Sequence, residues 1–434
     1  MKKVLLITAT ILVLILCGAY LYFNNTPIQN QPEPLQSVGV IFRDYFPLGG
    51  EPVQTENQTP EENTEASNET PSDTPIQQVA ERLVQLSNFS ISGFDFGSKI
   101  LTPATSTSQK KTVPVLRYIE KATGHVFERE LPTGTPTKIA NTTIPGSHEA
   151  FLAGSTVIYR YLDDGATIRT FAGTLPTPEE DGSLPEMKGV FFPDNISALT
   201  ISPDQKKLFY ILPFDTGVLG NMSEPDGTKK IKLFDSAFSG WLTQWQNQNT
   251  ITLTTKASGV APGYAYLLDV TKKTYSRLLG DIPGLTTLVS PNSKYVLYSE
   301  SVQNGFLTKI YNVVEGTSIP LAKGTLPEKC VWSSASDFII CAIPETIPGG
   351  LYPDVWYQGK TSFIDTFWQI NPATGSSNFI QSPFEEKRLS IDAISLRLDQ
   401  EKSHIYFINK NDETLWQLSL TEPKPEIIPP PLLP

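Results

Sequence analysis

Leu199-Thr-Ile-Ser-Pro-Asp-Gln-Lys-Lys-Leu-Phe-Tyr210 decides how the rest of the chain is read. Two apolar runs flank a Ser-Pro-Asp turn, the pattern of two antiparallel strands tightly joined. The pattern returns at Leu242–Leu253, Thr287–Tyr298 and Cys330–Cys341 and, with one extra residue, at Ser395–Phe407. With Ser202 as marker, the equivalents are Trp245, Ser290, Ser333 and about Arg397, at intervals of 43, 45, 43 and 64. A second hairpin follows, as in Tyr266–Tyr275, Ile310–Gly316 and Trp368–Gly375. Four strands in about 43 residues is the period of a propeller blade. Upstream, Phe151–Tyr159 leading into Asp164-Gly165 supplies one more unit, and the stretch from about Phe89 to Ile139 another, which makes seven. A blade alone cannot bury both of its faces, whereas a ring of blades covers each with a neighbour. The last unit, about 389–428, lacks a convincing fourth strand after Leu418–Leu420. The segment around Phe89–Phe96 is expected to supply it and close the ring.

The turns Ser202-Pro203-Asp204 and Ser290-Pro291-Asn292 resemble those of TolB-like, WD-like propellers; Ser333-Ser334-Ala335 and Leu398-Asp399 are degraded forms. The phrases Arg117–His125, Gly284–Ser290 and Leu326–Trp332 also resemble membrane-anchored bacterial propeller proteins. The resemblance covers roughly residues 90–425 and implies a fold rather than an activity.

Outside the repeat, Lys2 and Lys3 precede twenty uncharged residues, Val4–Phe23. At about 1.5 Å per residue such a helix spans roughly 30 Å, a bilayer core. Positive charge before the span predicts a cytoplasmic N-terminus and an extracytoplasmic bulk. The rival readings are a cleaved signal peptide, although no small-x-small site precedes Asn24, and a lipoprotein at Cys17, although Leu16 stands where a small residue is expected. Residues 51–73 carry seven acidic residues and no Lys or Arg, with Val53 and Ala66 as their only apolar side chains. With nothing to bury, this stretch is expected to be a disordered stalk. It holds seven of the eleven excess negative charges of the chain, so the acidity is not that of a binding surface. Within residues 25–73, the apolar motif 38–50 carries a candidate docking sequence, Phe42, Arg43, Asp44, Tyr45, Phe46 and Pro47. It fits a partner's groove, but equally a contact with the chain's own globular part or with the membrane surface. Thr74-Pro75 then opens a capping-box start, and Ile76, Val79, Ala80, Leu83 and Leu86 recur at helical spacing. A short amphipathic helix is therefore expected over about 75–86.

The expected fold is thus all-β. A seven-bladed β-propeller (89–424) follows a transmembrane anchor (1–24), a disordered acidic linker (25–73) and a short helix (74–88), and a Pro-rich tail (425–434) ends the chain.

Chemistry is harder to find. With 34 Lys+Arg against 45 Asp+Glu, the chain lacks the basic patch that nucleic acid requires. No Gly-x-Ser-x-Gly elbow, His-Glu-x-x-His or phosphate loop occurs. No catalytic, metal or cofactor residue is assigned, and no cofactor is expected. His125, His148 and His404 are isolated; His148, just before an inner strand, either lines the central channel or is a structural histidine. Asp163-Asp164-Gly165 and Glu179-Glu180-Asp181-Gly182 read as hairpin turns rather than calcium loops. Cys330 and Cys341 flank a tight turn directly opposite one another, which suits a disulfide in an oxidising compartment or two buried thiols. Two insertions interrupt the repeat, Pro176–Met187 and Ile347–Lys360. The second carries Tyr352, Trp356 and Tyr357, which form either a binding loop or a plug packed on its blade.

The function expected from this organisation is non-catalytic protein binding. A membrane-anchored extracytoplasmic propeller would act as a scaffold in a cell-envelope complex, with protein partners of undefined identity. The alternative is an enzyme or small-ligand receptor with its site in the central channel. Fold alone does not choose between them.

Overall fold

The computed structural model describes residues 81–101, 111–163, 165–177 and 182–421. The expected anchor, the linker with its 38–50 motif and the Pro-rich tail lie outside the described residues. Among those described, no helix is long and apolar enough to cross a membrane.

Seven four-stranded antiparallel sheets make up the structure. Six run in simple sequence order, over residues 91–138, 147–191, 198–236, 241–283, 286–320 and 330–381, and are called blades 1 to 6. Blade 7 takes three strands from residues 393–419 and its outermost from Leu83–Gln85, which pairs with Thr414–Ser419 in the register Leu83↔Leu418. The described residues hold seven apolar clusters. Leu253 and Phe209 pack together between blades 3 and 4, Leu297 and Ile339 between blades 5 and 6, and Phe367 and Phe407 between blades 6 and 7. Each sheet is thus shielded by its neighbours, as the repeat requires.

The closing strand corrects two expectations. Leu83–Gln85 is extended, not the end of a helix, and it rather than Phe89–Phe96 completes blade 7. The helical stripe would have buried Leu83 against one surface. The open edge of Thr414–Ser419 buries it as well and also pairs the backbone, so tertiary context overrides local spacing. Leu86 N–H donates to Leu415 O at 2.7 Å and Ser419 N–H to Arg82 O at 2.8 Å. Outside this strand, the Arg82 guanidinium donates to Ile380 O of blade 6 and Lys387 Nζ to Leu83 O. Phe94 and Phe96 instead lie in the inner strand of blade 1.

The Ser-Pro-Asp turns show why their residue types recur. The hydroxyls of Ser202, Ser290 and Ser333 each accept backbone N–H groups from the far side of the turn, at 2.9 Å from Lys207 and Tyr295 and 3.3 Å from Phe338. The fourth residue of each turn, Gln205, Ser293 and Ser336, is left-handed with φ near 60°. In blade 7 the equivalent is Asp399, whose carboxylate accepts from Ser403 N and His404 N. The marker there is therefore two residues beyond Arg397, because the inner strand Ala393–Leu398 is bulged.

Candidate functional site

The innermost strands of all seven blades enclose a central channel with a cavity of about 690 Å³. Blades 1 and 2 meet closely on its wall: a Cβ on Gly93 would lie 1.9 Å from Ala150 O, so only glycine fits there. Among the described residues, five charged side chains line the channel: Asp95, Glu149, Arg160, Glu328 and Arg397.

Their environments differ. Glu149 pairs with Arg160, whose guanidinium also donates to Ile196 O at 2.5 Å. Burial pushes the Glu149 carboxyl above the usual carboxylate range, against the pull of Arg160. Glu328, in the 3₁₀ turn before the inner strand of blade 6, accepts the Tyr357 hydroxyl. Its Oε2 is shielded and, among the described residues, has no hydrogen-bond partner; burial raises this carboxyl too. Asp95 accepts the Phe96 N–H at 2.8 Å; burial lifts its pKa while Arg397 pulls it back. Arg397 is exposed to the channel.

The 345–364 insertion of blade 6 reaches well beyond its own sheet. Asp354 accepts Ser258 Oγ at 3.0 Å and Gly259 N at 2.7 Å, both from blade 4. Trp356 Nε1 donates to Asp392 of blade 7 at 2.9 Å. Tyr352, Trp356 and Tyr357 are all buried, in a cluster with Phe306, Phe363 and Tyr406. The exposed binding-loop reading of these three is therefore corrected in favour of the plug: ring burial against three blades outweighs exposure on a Pro/Gly-rich loop. Beneath them Lys329, fully buried, is 2.7 Å from Asp365 and also paired with Asp392.

Cys330 and Cys341 face each other in the blade 6 register, with Sγ atoms bonded at 2.09 Å and Cα atoms 4.1 Å apart. Cys330 lines the channel. His148 sits where the strand register shifts between Ser147 and Glu149; Glu149 lines the channel and His148 does not. Burial, with Lys121 nearby, lowers the His148 pKa to about 4. His125 meets Glu120 and Thr143. His404 Nδ1 lies 2.9 Å from Ser403 Oγ and 3.4 Å from Asp399, but all three belong to one turn that the Asp399 carboxylate organises. Asp163 Oδ1 accepts Gly165 N and Thr167 N at 3.0 Å, a hairpin turn as expected.

A second surface lies where blades 3 and 4 meet. Phe238 stacks edge-on to Trp241 with ring centres 5.1 Å apart, Trp241 meets Tyr266 at 5.8 Å, and Tyr266 meets Tyr275 at 5.7 Å. Phe234 joins from blade 3. Phe238 and Tyr275 are 47% and 52% exposed. Sequence reasoning passed over this cluster because its members come from two units of the repeat. It also missed the channel charges, each of which lies on a different blade from the next except the Glu149–Arg160 pair.

No family model matches the chain, and no curated protein matches it. Solved structures do. An oligogalacturonate lyase in complex with manganese shares 10% identity, covering 77% of this chain and 99% of that one with a TM-score of 0.45. TolB from Acinetobacter baumannii shares 11% identity, covering 76% of this chain and 81% of its own, with a TM-score of 0.39. The β-propeller domain of the Trilobed protease from Pyrococcus furiosus shares 10% identity over 75% and 96%, with a TM-score of 0.44. TolB proteins are thus among the neighbours. The propeller assignment itself rests on the seven sheets and their interfaces.

Proposed function

We propose that this chain is a membrane-anchored, extracytoplasmic propeller that serves as a non-catalytic protein-binding scaffold in a cell-envelope complex. The observation that carries this reading is the exposed aromatic cluster across blades 3 and 4. Its two outermost rings, Phe238 and Tyr275, are about half exposed, while Trp241 and Tyr266 pack on the core between the blades, and exposed aromatic rings on a firm base mark protein contact sites. Rigid sheets hold Trp241, Tyr266 and Tyr275 in place, so docking a partner would order little additional chain. Val4–Phe23 would supply the anchor and residues 51–73 the spacer, with the 38–50 motif as a second contact.

A photo-reactive amino acid placed at Phe238 or Tyr275 in intact cells tests this directly. Both positions should give the same discrete crosslinked species, absent when the probe replaces Val314, an isolated residue 79% exposed. Deleting residues 38–50 should weaken co-purification of that partner. Crosslinks that are equal at Val314, or absent at both rim positions, would remove the support for a scaffold.

A further inference from the structure

The aromatic cluster where blades 3 and 4 meet has a chemical complement in the chain's own sequence. Its rings follow one another at 5.1, 5.8 and 5.7 Å, from Phe238 through Trp241 and Tyr266 to Tyr275. The Trp241 indole N–H is engaged by Phe238 O at 2.8 Å, so the cluster presents ring surface outward. Tyr275, in the outermost strand of blade 4, also walls a cleft of about 300 Å³ together with Thr250, Leu267 and Ser276. That cleft has room for an aliphatic side chain beside the exposed ring. Residues 425–434, Pro-Glu-Ile-Ile-Pro-Pro-Pro-Leu-Leu-Pro, hold five prolines, four aliphatic residues and one charge. Such a sequence favours polyproline II, which has no internal hydrogen bonds and cannot bury its own Ile and Leu side chains. A stiff segment of this kind loses little entropy on docking, and aromatic-lined surfaces recognise it.

Reach decides whose proline run can lie there. Thr421, the last described residue, follows the third strand of blade 7, and blade 4 lies three blades away round the ring. Pro429 stands eight residues beyond Thr421, about 25 Å in polyproline II and less than ~30 Å even fully extended. Crossing from the third strand of blade 7 to the outermost strand of blade 4 takes about 24 Å of strand spacings, plus at least the ~10 Å that separates facing sheets. That straight line runs through the protein, and a path over its surface is longer. Pro429 therefore falls short of Tyr275 on its own molecule, whereas a second copy has no such limit. We propose that the Pro429–Pro434 run of one copy docks on the aromatic cluster and cleft of a second copy, joining propellers head to tail. This rests on the reading of the cluster as a protein contact site and names its partner.

The test places the photo-reactive amino acid at Phe238 or Tyr275 in intact cells that co-express two differently tagged copies of the full chain. The expected product has twice the mass of the chain, carries both tags, and yields a crosslinked peptide that maps to residues 425–434. Deleting residues 425–434 should abolish it. Pro429→Gly, Pro430→Gly and Pro431→Gly together keep the length but remove the stiffness, and should reduce it about fivefold or more. Both changes lie outside the strands of the propeller, and circular dichroism of each variant checks that the sheets are retained. A double-mass product that survives the deletion, or a crosslink to residues 425–434 within a single chain, would overturn the proposal. A discrete product whose other half is a different protein would also overturn it, while leaving the scaffold reading in place. No product at either position would remove both.

Discussion

Replacing Lys329 by Met probes the contact that locks the insertion over blades 6 and 7. Lys329, Asp365 and Asp392 have fully buried side chains, and the ammonium lies 2.7 Å from Asp365. Asp392 is further supported by Trp356 Nε1 at 2.9 Å and Phe363 N at 3.1 Å. Asp365 accepts Ala393 N at 2.7 Å, while its Oδ1 has no partner among the described residues. Asp392 is accordingly held below the ordinary carboxylate range: the charges of Lys329 and Lys410 and the bond from Trp356 overcome its burial. Asp365, desolvated and facing Asp392, is pushed up to about 7.

Without the ammonium, two carboxylates face each other in a dry site, and one must take a proton. Breaking a buried pair in this way costs about 3–5 kcal/mol. At roughly 2 °C per kcal/mol for a domain this large, Tm should fall by about 6–10 °C near pH 8. The pH dependence has a definite sign. A folded-state pKa above the unfolded 3.8 means that the native Asp365 keeps a proton the unfolded chain has released. Wild-type stability from this group therefore falls as pH rises from about 4 to 7. Asp392 has the opposite sign, and its contribution is lost only as pH drops below the unfolded value through its lowered folded one. Lys329→Met removes the positive charge that tolerates both anions, so its penalty should be smaller at pH 5 than at pH 8. Urea unfolding at the two pH values measures this. A loss below about 0.5 kcal/mol at pH 8, no larger than a typical surface change, or equal losses at both pH values would refute the reasoning.

The other expectations concern how the ring is held. Intact mass should rise by about two hydrogens on reduction if Cys330 and Cys341 are bridged, and Cys330→Ser with Cys341→Ser should destabilise the fold by about 2–3 kcal/mol, given a sequence separation of 11. Leu83→Ala, at a fully buried position of the closing strand, should cost about 2–4 kcal/mol. Amide exchange should then quicken at Trp416 and Leu418, its register partners, before it does in blade 3; uniform quickening would mean that the strand does not act as a local clasp.

The blades were readable because each repeats a local rule. An apolar strand, a turn whose hydroxyl accepts backbone amides from its far side and a second strand can be recognised at Ser202, Ser290 and Ser333 without knowing what lies beside them. Asp399 was harder to place, because a carboxylate does the work of the hydroxyl and a bulge shifts the count. The facing cysteines followed from strand geometry alone, since Cys330 and Cys341 are equidistant from one turn.

Partnership across the ring lies beyond such rules. Leu83 has helical spacing in the chain but meets the free edge of Thr414–Ser419, over three hundred residues away. Tyr352, Trp356 and Tyr357 look like a contact loop until Phe306 of blade 5 packs on Tyr352 and Asp392, leading into blade 7, takes the Trp356 indole. The same holds for the channel, where Asp95 and Arg397 line one cavity only because blade 7 returns to blade 1. Local hydrogen bonding and side-chain alternation depend on near neighbours and are therefore written along the chain. Burial, charge pairing and the lining of a cavity depend on which distant surfaces meet, and ring closure alone decides that.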